Sequence, residues 1–81
     1  TMDIKQILTH ATLQKASDVF LVTGLPLTYK VNGQLVHITK KPLMPSDTES
    51  LVRGIYGLAS GRDYDTFNKN GDDDFSFALP P

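Results

Sequence analysis

Two histidines, His10 and His37, and a run of three aspartates, Asp72 to Asp74, are the side chains whose chemistry has to be tested first. Neither histidine has a second one three or four positions away, and the chain has no cysteine, so a zinc site would have to be assembled from distant residues. The acidic run fits a calcium loop no better. With Gly71 at the loop's invariant glycine, Asn68 and Asn70 reach ligand positions, but Thr66 stands where the first aspartate belongs and Phe77 where the bidentate glutamate belongs. Asp72-Asp73-Asp74 therefore reads as a solvated turn before a strand. Serines and aspartates are present for a Ser-His-Asp arrangement, yet no nucleophile-elbow sequence presents a serine. A phosphate-gripping loop needs two glycines five apart followed by lysine and a hydroxyl residue, and none of the six glycines starts such a run. Nucleotide hydrolysis by this chain alone is not expected. Tyr29, Tyr56 and Tyr64 have apolar neighbours and read as edges of a core. On its residues alone, the chain is a non-catalytic interaction module.

The elements that must position these residues follow from periodicity. Asp3 with Gln6 has the form of a capping box, and Ile4, Ile7, Leu8 and Ala11 follow at helical spacing, predicting a helix over Ile4 to Lys15. Ala16-Ser17-Asp18 reads as a turn. Val19 to Val22, β-branched and aromatic, predicts a strand covered on both faces. Thr28 to Val31 and Gln34 to Ile38 are extended runs joined by Asn32-Gly33, the dipeptide that suits a type I′ hairpin because both residues tolerate positive φ. Ser46 with Glu49 reads as a second capping box, opening a helix over Asp47 to Ala59 with Leu51, Val52, Ile55 and Leu58 on one stripe. Gly54 and Gly57 each weaken that helix by about 1 kcal/mol relative to alanine unless something packs against them. Arg62 to Lys69 predicts a short third helix with Tyr64 and Phe67 inward, capped at Asn70-Gly71. Phe75 to Leu79 alternates as a half-buried strand does. The order α-β-β-β-α-α-β predicts an α+β fold, a mostly antiparallel sheet with helices packed on it.

Composition sets the outer limits. The chain has 81 residues, 40% of them apolar, and a net charge of −1, which fits one domain and little room for a deep, dry active site. Residues 1–41 carry five basic and two acidic groups, residues 42–81 three and seven, so the halves stand at +3 and −4. These charges either meet across the fold, sit in water, or make a head-to-tail contact between copies. Lys40-Lys41 is the only basic pair, so nucleic acid is not an expected partner. The longest apolar stretch is four residues, against the roughly 20 of a membrane-spanning helix. Asp3 and Lys5 sit where a signal peptide would be built, so export by that route is disfavoured. Thr1 before Met2 reads as an expression remnant, with Met2 the natural start. A cytosolic globular domain is the expectation.

Taken in order, Ala16-Ser17-Asp18-Val19-Phe20-Leu21, Gly24-Leu25-Pro26, Tyr29-Lys30-Val31-Asn32-Gly33 with Leu35, and Asp74-Phe75-Ser76-Phe77 resemble the opening of the twitching-motility, PilT-type ATPases of the secretion ATPase superfamily. The likeness runs over almost the whole chain. It implies a PAS-like N-terminal domain occupying residues 1–81, a fragment of a parent whose Walker motifs lie in a RecA-like domain further along. The parent it implies is a hexameric motor on the cytoplasmic face of the inner membrane. ATP and Mg would be bound by that parent and not by this fragment. Each N-terminal domain would pack on the ATPase domain of the neighbouring subunit and pass ATP-driven motion to the pilus machinery. Where the family pattern R-x-D-G carries an arginine directed at the nucleotide, this chain has Lys30, and where it carries aspartate, Asn32. Lysine keeps the charge and loses the bidentate fork. Lys30 is therefore either a weakened phosphate contact in the parent or an exposed strand residue. A pilus assembly or type II secretion ATPase, and a free-standing PAS-like sensor holding an apolar ligand between sheet and helices, are the alternatives.

Overall fold

A computed structural model describes residues 3–58, 67–69 and 74–79. The chain forms α1 (Ile4–Leu13), β1 (Ala16–Val22), β2 (Thr28–Val31), β3 (Gln34–His37), α2 (Pro45–Leu58), β4 (Phe67–Lys69) and β5 (Asp74–Ala78). The strands make one sheet, in the order β3-β2-β1-β5-β4, and every pairing is antiparallel. The α+β architecture with a mostly antiparallel sheet is the expected one. One element differs: β4 pairs Phe67 with Phe77 and Lys69 with Phe75, so residues 67–69 are strand and not the end of a third helix. The rest of that expected helix and its Asn70-Gly71 cap lie outside the described residues.

The Asp3 carboxylate accepts the Lys5 backbone N–H at 3.0 Å and starts α1, and Ile4, Ile7 and Ala11 form its buried stripe. The helix stops at Leu13, two residues before the expected end, because Lys15 turns left-handed at φ 59°. β1 begins at Ala16, earlier than expected, and Ala16-Ser17-Asp18 is strand and not turn. A bulge between Ala16 and Asp18 resets the phase, so Ala16 and Val19 are buried on one face despite their odd spacing. The Ser17 hydroxyl meets the Asp18 carboxylate at 2.8 Å and the Lys30 carbonyl at 3.3 Å, tying the bulge to β2. The hairpin forms as read, with Asn32 and Gly33 at φ 53° and 76°.

The second helix opens one residue before the expected cap. Pro45 is its first residue, where its missing N–H costs nothing. The returning carboxylate comes from Asp47, which accepts the Met44 N–H at 3.0 Å, while Glu49 instead pairs with Arg53 at 2.6 Å on the exposed side. Leu51 and Ile55 face inward, and with Ile4, Ile7 and Ala11 they cover Val19, Leu21, Tyr29, Phe75 and Phe77 of the sheet. Gly54 is what lets the two helices meet: a Cβ there would lie 2.6 Å from Ile4 Cγ2, whereas one on Gly57 would touch nothing among the described residues. Both helices contribute to one core on one side of the sheet. The other side has no helix among the described residues.

Candidate functional site: the helix-free face of the sheet

Strand register decides what that second side displays. Phe20 pairs with Thr28 and Ser76, Val22 with Asp74, Thr28 with His37, and Lys30 with Asp18 and Leu35, so these residues share one face. Phe20 and Val22 are half-buried, and Leu35 is 65% exposed. The expectation that β1 is covered on both faces therefore holds for Val19 and Leu21 but not for Phe20 and Val22. An open concavity of about 350 Å³ occupies one end of the face, walled by Phe20, Val22, Leu25, Pro26, Leu35 and His37, with Thr28, Asp74 and Ser76 completing it. Its rim is held by backbone bonds. Gly24 N–H donates to the Leu43 carbonyl at 2.9 Å, Leu43 N–H to Leu25 at 2.8 Å, and Ile38 N–H to Leu27 at 2.7 Å.

The polar atoms of the concavity are ordered by a short hydrogen-bond chain. The Thr28 hydroxyl donates to the Pro26 carbonyl at 2.9 Å and lies 2.9 Å from His37 Nδ1. A hydroxyl has one proton, and it is spent on Pro26, so His37 Nδ1 must be the donor in the second bond. The neutral imidazole then carries its lone pair on Nε2. A second histidine, His10, sits apart on the helix side of the sheet, with Nδ1 3.0 Å from the Tyr29 hydroxyl. Burial of Tyr29 raises its phenol above the ordinary value of 10.0. The two histidines are thus separate hydrogen-bonding residues, and among the described residues no group of three or more histidines, aspartates or glutamates could hold a metal. No helix among the described residues is long and apolar enough to cross a membrane.

Lys30 stands on the helix-free face, half-buried, between Asp18 and Leu35. It makes no ion pair among the described residues. His37, Thr28 and Asp74 were not legible as a group. The Asn32-Gly33 turn nonetheless fixes a register that sets His37 opposite Thr28.

No profile of a known protein family matches the chain. The type IV pilus retraction ATPase PilT of Pseudomonas aeruginosa is 33% identical over 79 residues, covering 98% of this chain. The chain belongs to the PilT-type ATPase family, as an N-terminal domain. The type IV pilus ATPase PilU of the same organism is 33% identical over 63 residues, covering 78% of the chain. The chain spans only 22% of PilT and 16% of PilU. The X-ray structure of the Legionella pneumophila ATPase DotB matches 99% of the PilT-type domain, and 30% of DotB, with a TM-score of 0.69 at 24% identity. That likeness is one of fold. The α+β arrangement of this PilT-type domain is thus shared with part of DotB.

Proposed function

We propose that this chain is the non-catalytic, PAS-like N-terminal domain of a hexameric type IV pilus retraction ATPase, and that its helix-free sheet face packs on the ATPase domain of a neighbouring subunit. The observation that carries this reading is the face itself: Phe20, Val22 and Leu35 stand on the side of the sheet that no described helix covers, in a domain with its own filled core. Partly exposed apolar side chains gathered on one face mark interaction surfaces. Lys30 lies on the same face, so docking there carries its ammonium toward the partner, where it serves as a phosphate contact. ATP and Mg are held by the parent's ATPase domain at the cytoplasmic face of the inner membrane, and the domain passes closure of the interdomain angle to the pilus machinery as a rigid body.

The sensor alternative needs a ligand between sheet and helices. Val19, Leu21, Leu51 and Ile55 fill that space, which favours the motor reading. The test is replacement of the matching segment of Pseudomonas aeruginosa PilT by this chain. Twitching and ATP turnover by the hybrid are expected, with lower ATP affinity or turnover on Lys30→Ala. A hybrid that turns over ATP and does not retract pili would assign the domain to an assembly or export ATPase instead.

A further inference from the structure

The concavity on the helix-free face is apolar along its walls and rich in acceptors among its side-chain polar groups. Phe20, Val22, Leu25, Pro26 and Leu35 give it a hydrocarbon lining. The Thr28 hydroxyl proton is committed to the Pro26 carbonyl, and the His37 Nδ1 proton to Thr28. What is left to a visitor is the carboxylate of Asp74, an acceptor carrying a negative charge, with the Ser76 hydroxyl on the same strand, and, three strands away, the Nε2 lone pair of His37. Asp74 makes no ion pair among the described residues. Its strand partner Val22 offers no polar side-chain group, and Lys30 and Asp18 of the same face do not line the concavity.

We infer that this concavity seats a segment of a partner protein that presents an apolar side chain next to an arginine or lysine, the hydrocarbon parts lying on Phe20 and Leu35 and the cation donating to Asp74. Charge complementarity selects that occupant. A carboxylate from a partner would meet Asp74 with like charge and His37 Nε2 with no proton to receive, whereas a long basic side chain matches an apolar wall ending in acceptors. The volume of about 350 Å³ suits a residue or two and not a folded element. The inference rests on the docking reading above for the face being covered by protein, and it specifies the chemistry of the partner.

The test uses the 81-residue chain, so that its outcome is independent of any ATPase assay. Backbone amide shifts are followed by NMR during titration with acetyl-Leu-Arg-amide, acetyl-Leu-Gln-amide and acetyl-Leu-Glu-amide. The arginine peptide is expected to shift Phe20, Val22, Thr28, His37 and Asp74 and to bind at least about fivefold more tightly than the glutamate peptide, a ratio within reach of one charge-assisted contact. Asp74→Asn should abolish that preference while leaving the dispersion of the spectrum intact. Equal shifts from all three peptides, shifts confined to other residues, or an undiminished arginine preference in the Asp74→Asn variant would overturn it.

Discussion

His37 and Thr28 stand directly opposite one another on β3 and β2, and their side chains meet at 2.9 Å in a bond whose direction is fixed by a third atom, the Pro26 carbonyl. The histidine is thereby held in one tautomer, with its acceptor nitrogen on the side away from Thr28. Thr28→Val keeps the shape and removes the hydroxyl. Loss of about 0.5–1.5 kcal/mol is expected in urea denaturation, since the Pro26 carbonyl and His37 Nδ1 both lose a partner. Imidazole nitrogen shifts should report Nδ1–H in the native chain and a mixture of tautomers in the variant. A native chain carrying its proton on Nε2 would refute the assigned direction.

Gly54 and Gly57 lie on one helix and should respond to alanine with opposite signs. Helix propensity favours each replacement by about 1 kcal/mol. At Gly57 nothing among the described residues opposes it, so melting temperature should rise. At Gly54 the new methyl would fall 2.6 Å from Ile4 Cγ2, and forcing α1 and α2 apart costs about 1–3 kcal/mol, so the net change should be a loss. Combining Gly54→Ala with Ile4→Ala should show positive coupling in a double-mutant cycle.

Much of this fold follows from local rules that the chain obeys. The hairpin was readable because Asn32-Gly33 leaves one favourable turn, and α1 because Asp3 and the Ile4, Ile7, Ala11 spacing agree on its start and its buried face. The failures have physical causes. A bulge at Ser17 gives Ala16 and Val19 an odd spacing that period-two reading takes for a break. Met44 and Asp47 close the start of α2 two residues earlier than Ser46 and Glu49 would, and both pairs have the same spacing of three. Phe67 to Lys69 is too short for any period to declare itself, and its strand character comes from pairing with β5. The concavity was invisible because it depends on which side of the sheet the helices choose, a property of packing and not of any one segment.

The turn gives a direct check on the hairpin. Asn32→Val with Gly33→Val places β-branched residues at φ 53° and 76°, where each costs on the order of 1–2 kcal/mol or more. A melting temperature equal to that of the native chain would refute the type I′ assignment.

Alkaline pH should expose the burial of Tyr29. The phenol is 1% exposed and its folded pKa lies above the unfolded value of 10.0 because burial disfavours phenolate. Above about pH 10 the unfolded chain gives up this proton while the folded chain retains it, so stability is complete below that pH and declines as pH rises toward the folded value. Denaturation midpoints measured upward from neutral pH should show the decline, and Tyr29→Phe should make it shallower.

The most direct measurement of the docking account compares two PilT hybrids, one with the native domain and one with Phe20→Asp. Phe20 is half-buried on the face without helices, so the isolated variant should keep a cooperative melt while its hybrid loses subunit assembly and pilus retraction. A Phe20→Asp hybrid that assembles, hydrolyses ATP and retracts pili as the native hybrid does would contradict the claim that this face is where the domain meets its neighbour.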